Sequence, residues 1–161
     1  MTMDTIDIQS QQSFQMAVHA AVREALALRA RRILLLDEDY EPWALDDPAL
    51  IDDLTAFVRL PGRTVLVIGR RFDGVARRCP RFVAWRRTWG HAIDVRRPVD
   101  DEARCPTLLL VDRVLSVELL DCVRWRGRVS QNDPRTMVLS DEVDALAQRT
   151  EPTFGATTLG L

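Results

Sequence analysis

The sequence has 161 residues, a length typical of one domain with a sizeable apolar core, and a formal net charge of −2 at pH 7. All 22 basic residues are arginine, which excludes chemistry that needs a lysine, such as a Schiff base or a P-loop lysine. The three cysteines and two histidines are far apart, so the spacing excludes a zinc signature, and we expect reduced thiols, no metal and no other cofactor in a cytoplasmic protein.

The first part of the chain predicts a helix followed by a buried strand. Residues 1–12 are polar and acidic, predict a flexible lead-in and lack the pattern of a secretory signal. Apolar residues then recur at helical spacing from Ser13, the expected N-cap, to about residue 30. Residues 33–36 are apolar without alternation, which is typical of a strand buried on both faces of a partly parallel sheet. The acids within residues 37–41 either cap the end of this strand or bind a ligand there, and capping is the favoured interpretation.

The middle of the chain continues the alternation of helices and strands. Asp47-Pro48 combines an N-cap with a first-turn proline and predicts a helix to about Arg59. Residues 64–69 predict a second buried strand, and residues 70–90 predict a loop and then a helix. Residues 91–95 alternate like a strand with one solvated side. No apolar run reaches the roughly 18 residues of a membrane span, so we expect no membrane association.

The last part predicts further strands and a short helix. Residues 114–123 form one strand and residues 125–132 another, which Gly127 interrupts. A short helix is expected from Ser140 to just before Pro152, and residues 153–161 form a tail that Phe154 anchors. The order of elements predicts one α/β domain over residues 13–152, with a mixed β-sheet flanked by helices and parallel pairing in its first half.

The stretch Cys-Pro-Thr-Leu-Leu-Leu-Val-Asp at residues 105–112 is the one around which the rest is organised. It predicts a short buried strand that ends in an acid. Its spacing resembles the His-x-Lys-x-x-x-x-Asp signature of the phospholipase D superfamily. Cys105 stands at the histidine position, Thr107 at the lysine position, and Asp112 is retained. Without its partners, Asp112 is expected to form a turn ahead of Arg113.

The surrounding stretches resemble the same family. Residues 33–40, 54–68 and 89–95 are similar to the strands and connecting helices that precede its signature, and the likeness covers roughly residues 14–132. The chain thus resembles one phospholipase D-like half-domain. It is also similar to an uncharacterised proteobacterial family that carries this half-domain without the active-site residues. The resemblance implies a homodimer, because family members with a single half build their active site across a two-fold dimer.

The resemblance also implies what the substitutions remove. In the family, one histidine attacks phosphorus, a second protonates the leaving group, and the lysines bind the phosphoryl oxygens. Cys105 and Thr107 replace these groups, so we predict no catalytic residue and a catalytically inactive domain that acts in binding or assembly. The alternative is a phosphodiesterase or a Cys-dependent hydrolase, in which Cys105 is the nucleophile and His91 is the base.

The charge is distributed unevenly along the chain. Residues 59–97 contain eleven arginines and two acids, whereas residues 1–58 contain four arginines and eleven acids. Such a segment is a solvated helix face, a surface for a protein partner or a second copy, or a nucleic-acid-binding module whose tryptophans stack on bases. Nucleic acid is the least favoured of these. The residues of this candidate anion or partner surface are Arg77, Arg78, Arg86, Arg87, Trp85 and Trp89.

Overall fold

The computed structural model describes residues 4–154, and within this range eight strands form one mixed sheet flanked by five helices. In chain order the elements are β1 (Asp4–Ile8), α1 (Gln11–Ala27), β2 (Arg32–Leu36), α2 (Pro48–Val58), β3 (Thr64–Ile68), α3 (Asp73–Arg78), α4 (Pro80–Thr88), β4 (Ile93–Pro98), β5 (Thr107–Val111), β6 (Leu115–Asp121), β7 (Arg126–Gln131), α5 (Pro134–Ala147) and β8 (Thr150–Pro152). The strand order is β1-β7-β6-β5-β2-β3-β4-β8. The pairs β2–β3 and β3–β4 are parallel and the other neighbouring pairs are antiparallel, which confirms the predicted α/β class and mixed sheet.

Two apolar clusters cover the two faces of the sheet. On one face, Phe14 of α1 and Phe57 of α2 belong to a cluster with Ile33 of β2, and α3 and α4 add to the same cluster. On the other face, Leu139 of α5 packs in a cluster with Leu108 of β5. The central strands therefore need apolar residues on both sides, which explains why they read as unbroken apolar runs. Full burial of one such side chain contributes about 1.5–3 kcal/mol.

The N-terminal strand differs from the sequence-based expectation. Residues 4–8 form β1, which pairs antiparallel with β7 along its whole length, and α1 begins at Gln11. The prediction of a lead-in over residues 1–12 is therefore wrong from residue 4 onward, and residues 1–3 lie outside the described range. The helix begins early because Ser10 is its N-cap: Ser13 N–H donates to Ser10 Oγ at 3.0 Å, and Ser10 N–H donates to Ser13 Oγ at 2.9 Å.

The middle elements follow the prediction with one break. Ala49 N–H donates to Asp47 Oδ1 at 2.9 Å, so α2 begins where its cap and proline predict. The helix predicted after the loop within residues 70–90 is α4, which has Pro80 in its first turn. Part of the predicted loop instead forms the short helix α3, which ends at Arg78 because Pro80 cannot continue it. β4 begins at Ile93, since the two preceding residues form a turn.

The last helix is longer than predicted. It begins at Pro134 and not at Ser140, because Asp133 is its N-cap and accepts a hydrogen bond from Arg135 N–H at 2.8 Å. Asp133-Pro134 repeats the signal that marks the start of α2. The sequence therefore contains the helix-start signal at Asp133-Pro134, but the polar residues around this signal favour a loop.

The chain after α5 adds a strand that the sequence does not predict. β8 pairs antiparallel with β4 at the edge of the sheet. Phe154 follows it, and its ring centroid lies 5.4 Å from that of Phe72. The rest of the predicted tail, residues 155–161, lies outside the described range.

Candidate functional site

An open cleft lies at the end of the sheet where β2 ends and β5 begins. β5 runs antiparallel to β2 with Leu36 opposite Leu108, so the residues just before β5 meet those just after β2. One flank of α5 and the loop of residues 99–106 form the walls. The cleft has a volume of about 1110 Å³, which is at the upper end of small-molecule sites.

Thr107 and Asp37 are joined by a side-chain hydrogen bond in this cleft. The register of β2 and β5 places them side by side, and Thr107 Oγ1 donates to Asp37 Oδ1 at 2.5 Å. Tyr40 N–H donates to the other carboxylate oxygen at 2.8 Å. Asp37 is only 4% exposed, and this burial raises the pKa of its carboxyl group against the opposing effect of the hydrogen bonds. Thr107 is thus a neutral donor whose hydroxyl is already bound.

Cys105 is buried beside this pair. Its side chain is 5% exposed and belongs to the apolar cluster under α5. Burial raises the pKa of the Cys105 thiol to about 11, with Glu38 adding to the rise and Arg70 opposing it. At pH 7 only about one molecule in 10⁴ carries the thiolate. Cys105 is therefore a neutral thiol packed in an apolar cluster.

Arg70 holds the loop that leads into Cys105. Its guanidinium donates to the carbonyl oxygens of Asp100 and Ala103 and, at 3.2 Å, to Glu38 Oε2. The side chain is 19% exposed, so these bonds form in a partly desolvated setting. Arg70 follows β3 and the loop precedes β5, so only the folded sheet brings them together. The sequence contains no local signal for this contact.

His91 lies at the opposite end of the sheet from Cys105. It precedes β4, whose parallel pairing places its start beside the start of β3, whereas Cys105 is beside the end of β2. The His91 ring is exposed and its centroid lies 5.8 Å from that of Trp89. The fold therefore does not bring together the Cys105–His91 pair that a Cys-dependent hydrolase requires.

Asp112 has a structural role at the far end of β5. Arg32 N–H donates to Asp112 Oδ1 at 2.9 Å, and Arg31 N–H donates to the two carboxylate oxygens at 3.2 and 3.1 Å. Its φ of 47° is left-handed, a conformation that Asp tolerates better than most residues. Asp112 lies five residues beyond Thr107, about 17 Å along β5. Asp112 thus forms the expected turn and also caps the start of β2.

Changing Asp112 to alanine is expected to destabilise the protein by about 3 kcal/mol. The change leaves the Arg31 and Arg32 N–H groups without their carboxylate acceptor and places alanine in a left-handed conformation. Asp112→Asn is the matched control, because asparagine tolerates this conformation and retains one acceptor oxygen, so we expect about half the loss. Urea denaturation measures both, and a loss below about 1 kcal/mol for Asp112→Ala would contradict the capping role.

The six residues of the predicted arginine–tryptophan surface are not all at the surface. Trp85 is 4% exposed and Arg86 is 7% exposed, so neither presents a face to a ligand. Burial lowers the pKa of the Arg86 guanidinium, and Asp94 opposes that effect. Trp89 is half-buried against the main apolar cluster. The exposed members are Arg77, Arg78 and Arg87, which we name the Arg face.

Ion pairs reduce the charge asymmetry of the arginine-rich segment. Five of its eleven arginines pair with acids, most of them from other parts of the chain. These are Arg70, Arg71, Arg81, Arg96 and Arg97. The Arg face has no ion pair with any acid among residues 6–154, the range over which side chains are described. It is thus a smaller basic surface than the sequence predicts.

The cleft itself is acidic. Seven acids and three arginines line it, which is opposite to the charge that a phosphate site needs. Glu118 is buried and paired with Arg135, whose Nη2 lies 3.0 Å from Glu118 Oε1. The charged lining residues are Asp37, Glu38, Asp39, Glu41, Asp100, Glu118, Glu142, Arg104, Arg135 and Arg149. Four of the acids come from residues 37–41, the acidic stretch that the sequence already shows, whereas the other three come from separate segments and only the fold brings them to the cleft.

Two further properties concern metals and membranes. Among residues 4–154, no group of three or more histidine, cysteine or acidic side chains is arranged to hold a metal ion. None of the helices in the same range is long and apolar enough to cross a membrane.

Comparison with known proteins shows similarity in structure and not in sequence. No family model matches the chain, and no curated protein sequence matches it. Nuc from Salmonella typhimurium, a phospholipase D family member, has a TM-score of 0.66 at 13% identity over 94% of this chain and 99% of its own. Phosphatidylserine synthase from Haemophilus influenzae Rd KW20 has a TM-score of 0.59 at 10% identity over 99% of this chain and 41% of its own.

A third similar structure belongs to TrmBL2, an archaeal chromatin protein with a novel mode of DNA binding. Its TM-score is 0.65 at 15% identity, and the match covers 93% of this chain and 55% of that one. The chain thus spans about half of TrmBL2, less than half of the synthase and nearly all of Nuc. At sequence identities of 10–15%, this likeness shows a shared fold and not a shared function. Together with the eight-stranded mixed sheet, it shows that this chain has the phospholipase D-like fold.

Proposed function

We propose that the protein is a catalytically inactive phospholipase D-like domain that acts in binding or assembly as a homodimer. The observation that carries the proposed inactivity is the hydrogen bond from Thr107 Oγ1 to Asp37 Oδ1 at 2.5 Å. Thr107, at the lysine position of the resemblance, therefore already donates its hydroxyl to a neighbouring acid. The neutral thiol of Cys105, with its pKa of about 11, supports the same conclusion.

The energetic case against family catalysis is large. Phosphoryl transfer needs a nucleophile and cationic donors for the developing negative charge, and one such donor is worth about 3 kcal/mol. Thr107 supplies no charge, and Cys105 supplies no thiolate at neutral pH. The acidic lining of the cleft also repels a phosphodiester before any chemistry begins.

The test of inactivity is a turnover assay with the purified protein. We expect background hydrolysis of bis(p-nitrophenyl) phosphate, plasmid DNA and phosphatidylcholine vesicles, with the same rates for the wild type and Cys105→Ala. A catalytically active phospholipase D enzyme run in parallel shows that each assay works. Turnover above background that disappears in Cys105→Ala would instead support the Cys-dependent hydrolase.

Homodimer assembly rests on the half-domain that the sequence resemblance implies. The match to Nuc, over 94% of this chain and 99% of its own, supports a domain of that size. Single halves of the family pair about a two-fold axis, as the sequence resemblance implies. Sedimentation velocity at micromolar concentrations is expected to show a species larger than the monomer. A monomer throughout that range would contradict assembly.

Nucleic-acid binding is the second candidate, favoured by the exposed Arg face and the likeness to a DNA-binding chromatin protein. The buried Trp85 and Arg86 reduce its support, because they are unavailable for stacking on bases. Three arginine–phosphate contacts would give a salt slope of about −2.7 in log K against log salt. Fluorescence anisotropy with a labelled duplex measures this slope, with Arg77→Ala/Arg78→Ala/Arg87→Ala as the variant and Arg149→Ala as control. Absence of binding at low salt would remove the candidate.

A further inference from the structure

The two edges of the sheet, among residues 4–154, differ in what they offer to a further strand. β1 lies at one edge and β8 at the other. β8 is three residues long and ends at Pro152, which has no N–H group to donate. The carbonyl oxygen of Thr150, in the same strand, already accepts a hydrogen bond from Arg96 Nη2 at 2.9 Å. The β8 edge is therefore poorly suited to pairing with another chain.

β1 is the more open of the two edges. It is five residues long, and its register with β7 is unbroken from one end to the other. In the described part of the chain β7 is its only neighbour in the sheet. The strand contains no proline and no bulge, two features that commonly prevent an edge from pairing. The N–H and C=O groups on its outer side can therefore pair with an added strand.

The exposure of Ile6 indicates which strand is added. Ile6 and Ile8 lie on the same face of β1, because side chains alternate along a strand. Ile8 is 2% exposed and belongs to the main apolar cluster, whereas Ile6 is 63% exposed. An added strand covers Ile6 best if it places an apolar side chain directly opposite, on the same face. A second copy of β1 supplies that side chain, since it carries the same isoleucine.

Two-fold symmetry restricts the register of such a pair. When β1 pairs antiparallel with its own copy and the faces of the two sheets match, the axis passes through one residue of the strand. An axis at Asp7, whose side chain is exposed, would place two carboxylates directly opposite each other, which is unfavourable. An axis at Ile6 instead places two isoleucines opposite each other and moves the carboxylates out of direct opposition.

We propose that β1 of one copy pairs antiparallel with β1 of a second copy, with Ile6 opposite Ile6 across a two-fold axis. The proposal rests on the homodimer proposed above and names the edge that joins its subunits. The contact is isologous, so the same strand serves on both sides and two sheets become one continuous sheet. Each remaining edge of the joined sheet is a β8 strand, so assembly ends at two copies.

Opposite charges at Ile6 test this register. Ile6→Arg and Ile6→Glu each place like charges across the axis, so each variant alone is expected to raise the dissociation constant of self-association about tenfold or more in sedimentation velocity. An equimolar mixture of the two variants places opposite charges across the axis and is expected to recover association. Met16→Arg is the control, because Met16 is also 63% exposed but lies on α1, and it is expected to leave assembly unchanged. Circular dichroism shows that each variant is folded.

A disulfide between two copies tests the same contact by distance. Cα atoms directly opposite each other in an antiparallel pair are about 4.5–5.5 Å apart, which suits a disulfide. The background Cys79→Ser/Cys122→Ser leaves only the buried Cys105. In this background Ile6→Cys is expected to form a covalent dimer under mild oxidation, seen on a non-reducing gel, and Met16→Cys is expected to stay monomeric.

The outcomes separate this contact from the assembly function. Failure of the mixture to recover association, or absence of the covalent dimer in Ile6→Cys, would overturn the β1 contact while a dimeric wild type keeps the homodimer in place. A monomeric wild type would overturn the assembly function itself, and the β1 contact with it.

Discussion

Replacing Gly127 by alanine is expected to destabilise the protein by about 3 kcal/mol or more. Gly127 lies in β7 opposite Leu119 of β6, beside an irregularity in the pairing of the two strands. A Cβ atom there would meet the carbonyl oxygen of Glu118 far inside contact distance and would lie 3.0 Å from the Cα atom of Leu119. Both contacts are with backbone, so the strands have to separate, which costs more than a side-chain rearrangement.

Urea and thermal denaturation measure this change. For a domain of this size, about 3 kcal/mol corresponds to a fall in Tm of roughly 10 °C. Gly74→Ala is the matched control, because the added Cβ atom there meets only the guanidinium of Arg78, which is free to move. Alanine also favours the helical backbone of α3, so the control is expected to be neutral or slightly stabilising. Equal stability of the two variants would contradict the close approach of β6 and β7.

Replacing Arg70 by alanine is expected to raise the alkylation rate of the Cys105 thiol about tenfold or more. The change removes the hydrogen bonds to Asp100 and Ala103 that hold the loop leading into Cys105. Each bond is worth about 1 kcal/mol, so the loop opens far more often. Loss of the Arg70 cation by itself would raise the pKa of the Cys105 thiol. Burial is, however, the larger cause of the raised pKa, so exposing the thiol to solvent lowers the pKa by more than the lost cation raises it.

The alkylation experiment needs a chain with one thiol. The background is Cys79→Ser/Cys122→Ser, because Cys122 is exposed and Cys79 is half-buried. Arg71→Ala is the control, since Arg71 is exposed and its closest acidic partner, Asp39, lies 3.9 Å away. In the single-thiol chain with Arg70 present, the rate is expected to rise with pH up to about 11, where the thiol ionises. Similar rates for Arg70→Ala and its control would show that the loop does not protect Cys105.

The central sheet is the part of the fold that the sequence predicts best. The apolar runs that become β2, β3 and β5 lack alternation because both of their faces are covered, and this periodicity is a local property of the sequence. The spacing of residues 105–112 also predicts that Cys105 and Thr107 lie at the start of a buried strand, which is β5. The predicted class of fold and this predicted strand are therefore both confirmed.

The edge strands are not predictable in the same way. β1 and β8 are short and partly polar, and they are strands only because β7 and β4 offer unpaired backbone groups beside them. The burial of Trp85 and Arg86 likewise depends on which side of α4 faces the sheet. A helix with arginine and tryptophan on several sides does not specify that orientation by periodicity alone.

The features of the cleft depend on contacts between distant residues. Asp37 and Thr107 are separated by the whole of α2, β3, α3, α4 and β4, so only the antiparallel register of β2 and β5 reveals their hydrogen bond. The favoured interpretation of residues 37–41 as a strand-end cap agrees with the bond from Tyr40 N–H to Asp37. It does not predict the hydrogen bond from Thr107 to Asp37, which occupies the Thr107 hydroxyl.

The pairing of β1 with β7 has a consequence for the order of events on the ribosome. β1 emerges first among the described elements, yet its only neighbour in the sheet comes late in the chain. A nascent chain therefore holds an unattached strand through most of its synthesis, and the outer side of β7 stays open until β1 returns to it. An open side of this kind is a template for a foreign strand, so slow docking of β1 would expose the protein to misassembly before it reaches its native state.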